Sequence, residues 1–260
     1  MLQEIYLTAG LVILGYITLI WVLSLVIQDA GIMDIFWGLG FIVVAGVYIF
    51  SSPETSLPGY LLLAAVTIWG LRLTIYIAFR NLGKSEDARY QAFREKGGAN
   101  WWWQSYFKVF LLQGLIMWIV SLPLLTGMAA SIDRSLGWIA IFGVVVWGIG
   151  FFFEAGGDWQ LVRFKRNPEN KGKVLDKGLW ALTRHPNYFG EMLMWWGFYL
   201  ISLQSGYAWT IISPLLMTVL LLRVSGVTML EQLLTTTKPE YAEYIRTTST
   251  FFPWIKKSNG

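Results

Sequence analysis

Five charged side chains lie inside long apolar stretches of this sequence or at the ends of those stretches. They are Asp34, Arg72, Glu154, Glu191 and Arg223. A charge within a membrane-spanning helix costs about 2.5–3.5 kcal/mol on insertion scales, so it usually serves a function. A long side chain at the end of a span reaches the interface at little cost, which accounts for Glu154 and Arg223. Asp34, Arg72 and Glu191 are therefore candidates for chemistry, and a structural ion pair between Asp34 and Arg72 is the alternative.

Residues 184–188, Arg-His-Pro-Asn-Tyr, run directly into one of these apolar stretches. Proline suits the first turn of a helix, where the exposed amide groups attract an anion. The planar guanidinium of Arg184 matches the geometry of a phosphate group. Asn187, Glu191 and Trp195 follow at intervals of four residues and share one stripe of the helix. The pattern predicts an anion site next to a carboxylate that lies in the membrane.

A bundle of membrane helices has to position such residues. The chain is 55% hydrophobic and only 14% charged, against about 25% charged residues in soluble domains. A spanning helix needs about 20 apolar residues, and seven segments approach that length: Ile5–Ile27, Ile32–Phe50, Tyr60–Phe79, Ser105–Thr126, Leu136–Glu154, Tyr188–Leu203 and Trp209–Val224. With no cysteine and a single histidine, the composition excludes thiolate and multi-histidine metal sites. We predict no metal.

Basic residues predict the orientation of this bundle. Sixteen of the 20 Lys and Arg residues fall in three segments, 80–104, 156–187 and 225–260. With seven spans, all three segments lie on one side of the membrane, and Arg134 is alone on the other. Basic residues of short loops stay in the cytoplasm. We therefore predict an all-α polytopic bundle with its amino terminus outside and its carboxyl terminus in the cytoplasm, typical of a bacterial inner membrane.

The polar segment 156–187 has its own predicted organisation. Its first part continues the fifth helix beyond the membrane, and Asp158, Val162 and Lys165 share one face there. Asn167-Pro168 and Lys171-Gly172 then interrupt the helix. No glycine-rich nucleotide fingerprint is present, and Gly148 and Gly150 lie within an apolar helix, where they favour close packing. A nucleotide would therefore be held by side chains from several segments.

The stretch from Asp158 to Glu191 resembles the steroid 5-alpha-reductase family, the 3-oxo-5-alpha-steroid 4-dehydrogenase C-terminal domain, and especially its bacterial membrane branch. The tail is similar too, in Met229-Leu-Glu, in Lys238-Pro-Glu-Tyr and in Phe251-Phe-Pro-Trp. The resemblance covers roughly 150–255 and is weak over the first three segments. It implies one membrane domain, 1–260, in which 1–130 supply the substrate side and 131–260 supply most cofactor contacts.

The resemblance also implies that NADPH is the cofactor and that the reaction reduces a carbon–carbon double bond conjugated to a ketone. Catalysis falls to Asp34, the counterpart of a family glutamate, and to Glu191. A family tyrosine near the substrate ketone has Trp69 at its approximate position. The cofactor-binding candidates, from the resemblance and from the motif at 184–188, are Arg72, Asn81 or its neighbour Arg80, Asp158, Lys165, Lys173, Arg184, His185, Asn187, Tyr188, Arg223, Tyr241 and Tyr244.

The leading hypothesis is NADPH-dependent reduction of a lipophilic enone, steroid-like or isoprenoid, that enters from the bilayer. A protonated Asp34 would donate a hydrogen bond to the carbonyl oxygen, and Glu191 would orient the nicotinamide amide. The alternative enzyme is an S-adenosylmethionine-dependent methyltransferase of the isoprenylcysteine or phospholipid type, in which Glu231 is the carboxylate after the following span. A third hypothesis is a transporter or scaffold with an ion-paired interior. We expect no nucleic acid and no obligate protein partner.

Overall fold

The structure, a computed structural model, describes residues 1–52, 54–81, 83–129, 135–224, 227, 231, 235 and 240–254. Arg134 and Lys238, which the sequence analysis uses, lie outside these residues. The described residues form helices joined by short turns, without a β-strand among them. The helices are α1 (Leu2–Ile27), α2 (Ile32–Phe50), α3 (Leu57–Asn81), α4 (Ala88–Gly97), α5 (Trp101–Ser105), α6 (Leu112–Val120), α7 (Leu122–Ala129), α8 (Trp138–Arg166), α9 (Leu179–Leu182), α10 (Pro186–Ser202), α11 (Ile212–Val219) and α12 (Tyr241–Thr247).

Four of these helices, α1, α2, α3 and α8, are long and apolar enough to cross a membrane. A fifth candidate is the helical run Ala88–Val120 together with α7, which is bent by 42°. The predicted all-helical architecture is thereby confirmed for the described part of the chain, and the long apolar helices indicate an integral membrane protein. The sixth and seventh predicted segments are also helical, but α10 has 17 residues and spans only about 26 Å. Seven spans, and the orientation derived from them, stay predictions.

The bend at Ser121 has a local cause. Pro123 lies in the first turn of α7, and proline cannot continue the hydrogen bonds of the preceding helix. The hydroxyl of Ser121 donates to the carbonyl of Trp118 at 2.7 Å and also pairs with the hydroxyl of Tyr48 at 2.7 Å. Because these bonds satisfy polar groups that the bend exposes, the break is stable inside an apolar bundle.

The chain divides into two compact units, which we describe separately. The first comprises Met1–Ala140 with Ser202–Thr210, and the second comprises Ile141–Ile201 with Ile211–Gly260. In the first unit α2 and α3 cross where Gly38 faces Gly70. A Cβ atom built on Gly38 would lie 2.4 Å from the carbonyl oxygen of Gly70, so the crossing requires glycine on both helices.

Glycines also set the packing of α8 against α10 in the second unit. They recur every seven residues, at Gly143 and Gly150 on α8 and at Gly190 and Gly197 on α10. A Cβ on Gly150 would meet the carbonyl oxygen of Gly190 at 2.6 Å, and one on Gly197 would meet that of Gly143 at 2.9 Å. The predicted packing role is confirmed for Gly150. A Cβ on Gly148 would meet no described atom within 4 Å.

We predict that Gly150→Ala destabilises the protein, because its methyl group must push α8 away from the backbone of α10. Overpacking of this kind costs about 1–3 kcal/mol. The measurement is the thermal unfolding midpoint of the purified protein in detergent. Gly148→Ala is the matched control, and we expect it to leave the midpoint unchanged or to raise it, because alanine favours a helix over glycine. Equal midpoints for the two variants would contradict the packing role of Gly150.

Candidate functional site

Asp34 lies in the first turn of α2 and is the centre of an acid cluster, which we define as Asp34, Arg89, Tyr90 and Gln113. The hydroxyl of Tyr90 donates to Asp34 Oδ1 at 2.7 Å, and Arg89 Nη2 lies 3.3 Å from Asp34 Oδ2. Tyr90 is buried, whereas the side chains of Asp34 and Arg89 keep 21% and 40% of their surface. The ion pair of Asp34 is therefore formed with Arg89 of α4, and the cluster remains accessible.

The amino terminus of α4 is held in place by two acidic residues that precede it. Asp87 caps the helix by accepting from the backbone amide of Arg89 at 2.9 Å, and it also binds the guanidinium of Arg89 at 2.9 Å. Burial acts to raise the pKa of Asp87, but the hydrogen bonds and charge of Arg89 prevail and lower that pKa. Glu86 accepts from Arg94 at 2.8 Å and from the amide of Ala30 at 2.8 Å. These contacts attach the start of α4 to the α1–α2 connection and so position Tyr90.

Gln113 completes the acid cluster from α6. Its side-chain amide donates to the hydroxyl of Tyr90 at 3.3 Å. The preceding turn, Tyr106–Leu111, is a π-helix, and such turns are frequent at functional sites because they shift the register of the residues that follow. The phenol oxygen thus receives one hydrogen bond from Gln113 and donates another to Asp34.

The basic candidates on α3 lie around one aromatic ring. Arg72 and Arg80 place their guanidinium carbons 5.8 Å and 5.7 Å from the centre of the Tyr76 ring. Asn81 accepts from Arg80 Nε at 3.1 Å. Trp69 is fully buried and packs on Phe41 with 5.6 Å between ring centres. Trp69 therefore belongs to the apolar core, and the phenol that contacts Asp34 is Tyr90.

In the second unit, Arg184 is buried and all three of its guanidinium nitrogens bind protein acceptors. Nε binds Glu231 at 2.7 Å, Nη2 binds the hydroxyl of Thr250 at 2.8 Å, and Nη1 binds the carbonyls of Ile245 and Thr248 at 2.9 and 2.7 Å. The two carbonyls belong to the end of α12, where such groups lack helical partners and attract a cation. Arg184 therefore clamps the carboxyl-terminal segment in this structure, and the phosphate-binding role predicted for it stays a prediction.

His185 is buried between Glu231 and Tyr188. Its Nε2 lies 3.1 Å from the Glu231 carboxylate, and its ring stacks on Tyr188 with 5.7 Å between centres. A carboxylate can only accept, so Nε2 carries a proton, and Nδ1 is the acceptor whenever the ring is neutral. Nδ1 is buried and lacks a hydrogen-bond partner among the described residues. A buried acceptor without a partner costs about 1–3 kcal/mol, so this atom is suited to receive a donor from a ligand.

The two tail tyrosines of the prediction belong to the same region. Tyr244 donates from its hydroxyl to the carbonyl of Trp180. Tyr241 packs edge-on against Tyr244 at 5.6 Å between ring centres. Burial, and the nearby charge of Glu231, raise the pKa of Tyr241 to about 12. Both phenols therefore remain neutral at physiological pH.

The structure brings Asp158 and Asn187 together. Asp158 is buried on α8 and accepts from the side-chain amide of Asn187 at 3.1 Å. Pro186 begins α10, as predicted, and a Cβ on Gly157 would lie only 3.1 Å from the Pro186 ring. Glu191 lies one turn further along α10 and is half-buried. The pair of Asp158 and Asn187 therefore joins the carboxyl-terminal part of α8 to the start of α10.

Three lysines line one cavity beyond α8, which we call the lysine cavity. Lys165, Lys171 and Lys173 border a space of about 350 Å³ whose lining includes no acidic side chain. Helix α8 ends at Arg166, and Asn167 caps the short turn that follows by accepting from Glu169 at 3.0 Å, which confirms the predicted helix extension and its interruption. Arg223 is exposed within a π-helical turn, Leu220–Val224, and is not among the residues that line the lysine cavity.

Sequence reasoning missed Arg89, Tyr90 and Gln113. Asp87 precedes a run of residues that favour a helix, and an aspartate at that position is a helix-capping signal. The start of α4 could therefore have been predicted from the sequence. No local pattern connects Tyr90 to Asp34, because 56 residues separate them. Only the fold brings the phenol to the carboxylate.

We predict that Glu231→Gln lowers the thermal stability of the protein at neutral pH. We also predict that the variant loses less stability than the wild type when the pH is lowered. Burial acts to raise the pKa of Glu231, but the hydrogen bonds from His185 and Arg184 lower it below 4.5. The ionised carboxylate therefore adds stability above pH 4.5, and this contribution is lost as the pH falls below that value. Losing a hydrogen bond to a charged group costs about 1.5–3 kcal/mol.

Thermal midpoints at neutral and acidic pH measure both effects. The exposed Glu169→Gln is the control, which should follow the wild type at both pH values. If Glu231→Gln lost as much stability on acidification as the wild type, the pair with Arg184 would not carry the acid sensitivity.

Comparison with known proteins gives partial matches to proteins of different description. The chain is 29% identical over 174 residues to an uncharacterized protein of Schizosaccharomyces pombe, which covers 56% of this chain and 49% of that protein. It is 41% identical over 46 residues to a probable O-methyltransferase of Ustilaginoidea virens, 18% of this chain and 16% of that protein. It is 29% identical over 65 residues to a steroid 5-alpha-reductase of Gossypium hirsutum, 25% of each chain.

These matches span about half or less of each relative, and no solved structure matches the chain. The similarity to a steroid reductase and to a methyltransferase is therefore distant and partial. A family model gives the broader match, since it covers residues 20–248. The chain belongs to that family, described as protein of unknown function DUF1295.

Proposed function

We propose that this protein is a membrane oxidoreductase that uses NADPH to reduce the carbon–carbon double bond of a lipophilic enone. The observation that carries the proposal is the hydrogen-bonded pair of Tyr90 and Asp34, with 2.7 Å between the phenol oxygen and Oδ1. The partial similarity to a steroid 5-alpha-reductase supports it. A 4-en-3-one steroid or an isoprenoid enone is the substrate class proposed.

The acid cluster has the groups that conjugate reduction requires. When an enone accepts a hydride at the carbon β to its carbonyl, negative charge develops on the carbonyl oxygen. The Tyr90 hydroxyl accepts from Gln113 at 3.3 Å; when substrate binds, it turns its single proton from Asp34 to that oxygen and stabilises the charge. Before substrate binds, Asp34 accepts this proton and holds the phenol in position, and Arg89 stays paired with the carboxylate when the phenol turns to the substrate. Methyl transfer develops no such oxyanion and needs no phenol–carboxyl pair.

The residues of the second unit fit a reduced nicotinamide nucleotide by their chemistry. Lys165, Lys171 and Lys173 line a cavity without acidic side chains, which suits phosphate groups. His185 Nδ1 is a buried acceptor without a partner among the described residues, and it would accept from an amide or a hydroxyl. When bound, NADPH supplies the hydride.

Further residues are assigned to the cofactor by the resemblance rather than by their contacts. In this proposal Asp158 and Asn187 bind a ribose or amide group, and Glu191 orients the nicotinamide amide. The remaining proposed contacts are Arg72, Asn81, Tyr188, Arg223, Tyr241 and Tyr244. Arg184 supports them by holding the carboxyl-terminal segment.

A methyltransferase of the isoprenylcysteine or phospholipid type is the second candidate. Glu231 contacts Arg184 and His185 at 2.7 and 3.1 Å. This contact favours the methyltransferase, because that hypothesis predicts a carboxylate beside the motif at residues 184–188. The 41% identity over 46 residues to a probable O-methyltransferase points the same way. The acid cluster of the first unit has no role in that chemistry, and for this reason we place the reductase first.

We predict that Tyr90→Phe and Asp34→Asn each slow NADPH-dependent reduction of a 4-en-3-one steroid by about 10²–10³-fold, the usual loss when an oxyanion donor is removed. The measurement is NADPH absorbance with detergent-purified protein, together with identification of the saturated ketone. Glu191→Gln should also slow turnover. Tyr6→Phe is the matched control and should keep full activity, because the Tyr6 hydroxyl donates to the Trp118 carbonyl at 3.2 Å and does not belong to the acid cluster.

Binding measurements separate the two candidate functions. The reductase binds NADPH and does not consume S-adenosylmethionine, whereas a methyltransferase retains a radiolabelled methyl donor and ignores NADPH. Full activity of both Tyr90→Phe and Asp34→Asn would remove the proposed role of the acid cluster. Absence of NADPH binding by folded protein would remove the reductase function itself.

A further inference from the structure

A second cavity lies beside the last turns of α8, and we call it the α8 cavity. Its volume is about 430 Å³, and its lining residues are Trp159, Gln160, Arg163, Phe164, Asn167, Asn170, Leu175, Lys177 and Gly178. Trp159 is 60% exposed. The lining thus combines an exposed indole and two apolar side chains with two basic residues, and it includes no acidic side chain.

The position of Trp159 along α8 places this cavity at the membrane surface. Helix α8 begins at Trp138, which is 77% exposed. The helical rise from Trp138 to Trp159 is about 31 Å, close to the hydrocarbon thickness of about 30 Å. Exposed tryptophans favour the headgroup level at both membrane surfaces. When Trp138 marks one surface, Trp159 marks the other, and the next turn of α8 lies among the headgroups.

The basic side chains of the α8 cavity are arranged around this indole. Arg163 follows Trp159 by one turn, and its guanidinium carbon lies 5.4 Å from the centre of the indole ring. This stacking orients the guanidinium and leaves its edge free for an anion. Lys177 comes from the segment that leads to α9, so cations from two parts of the chain border one space.

The Lys177 side of the cavity is fixed by Gln160. The side-chain oxygen of Gln160 accepts from the amide of Leu179 at 3.0 Å. Gly178 has a positive φ of 63°, and a Cβ there would lie 2.7 Å from the Gln160 side chain. Glycine is therefore required next to Lys177, and the rim of the cavity is formed before any ligand binds.

The α8 cavity differs from the lysine cavity in its cations. Phe164, Asn167, Asn170 and Leu175 contribute to both, but Arg163 and Lys177 border only the first, whereas Lys165 and Lys173 border only the second. Trp159 and Arg163 are four residues apart and share a face of α8. Asp158 and Lys165, the residues that the resemblance assigns to the cofactor, lie on another face of this helix.

We propose that the α8 cavity binds the phosphate group of an anionic membrane phospholipid. Arg163 and Lys177 bind the phosphate oxygens, and Trp159, Phe164 and Leu175 contact the glycerol and the first part of the acyl chains. The exposed indole at headgroup level supports a lipid over a soluble phosphate, because a soluble anion makes no use of that apolar surface. This site is additional to the proposed reductase function and does not depend on it.

The test compares lipid retention by full-length variants in native mass spectrometry. The wild type, in neutral detergent with equal phosphatidylglycerol and phosphatidylcholine, should retain phosphatidylglycerol preferentially. Arg163→Gln with Lys177→Gln should lose this preference, by about fivefold for each charge removed. Lys165→Gln with Lys173→Gln removes two charges from the neighbouring cavity and should keep the lipid preference.

The nucleotide measurement runs in parallel with the same proteins. NADPH binding should persist in the Arg163 and Lys177 variant and weaken in the Lys165 and Lys173 variant, so failure of one proposal leaves the other standing. The lipid proposal is overturned if the first variant retains the wild-type preference, if the second loses it equally, or if inorganic phosphate displaces the lipid. Thermal midpoints verify folding, and Lys177→Gln alone, in an exposed segment, replaces the double variant if that variant unfolds.

Discussion

An ionisable side chain in an apolar bundle has to find its hydrogen-bond partners within the protein, and this requirement organises both clusters described above. Asp34 receives the Tyr90 hydroxyl and the Arg89 guanidinium from a helix that is far away in sequence. Arg184 finds its acceptors in Glu231 and in the carbonyls at the end of α12. In each case a hydrogen-bonded charged side chain fixes the position of a segment that connects longer helices. The polar residues thus determine how the connecting segments fold onto the helices.

Local chemistry made much of the helical architecture predictable. The second apolar segment, Ile32–Phe50, coincides with α2, since the hydrophobic run is bounded by turn residues on both sides. Asn167-Pro168 ended α8 and Pro186 began α10, because proline lacks the amide hydrogen that a helix interior needs. The sixth predicted segment, Tyr188–Leu203, also agrees closely with α10, Pro186–Ser202, but a helix of this length is at the lower limit for a membrane span.

The candidate site was predictable only where its residues stand next to one another in the chain. Residues 184–188 and Asp34 were recognised from their types and surroundings. The target of Arg184 was not, because the guanidinium fork fits a phosphate and a pair of carbonyl oxygens equally well. The resemblance put Trp69 on α3 at the position of a family tyrosine, whereas the phenol that contacts Asp34 is Tyr90 on α4. Such pairings depend on how helices cross, and hydrophobic periodicity does not encode them.

Arg184 and the lysines of the lysine cavity have different surroundings in the second unit, and their physical properties suit these surroundings. The buried Arg184 uses its planar donors to hold backbone carbonyls and a carboxylate at fixed geometry. The lysines of the lysine cavity are exposed, and a flexible ammonium would suit an exchangeable ligand such as the proposed cofactor. Replacing arginine by lysine at a phosphate contact keeps the charge and gives up bidentate geometry. Binding there would then depend more strongly on salt.

The glycine crossings restrict how far neighbouring helices can separate or slide past each other. Where Gly38 meets Gly70, and where Gly150 meets Gly190, peptide groups of two helices touch with no side chain between them. Side chains can change rotamer and let helices slide, but backbone in direct contact has no such freedom. We therefore expect the two helices of each pair to move together. Any opening that admits a bulky lipophilic molecule must arise at other helix boundaries, where larger side chains can rearrange.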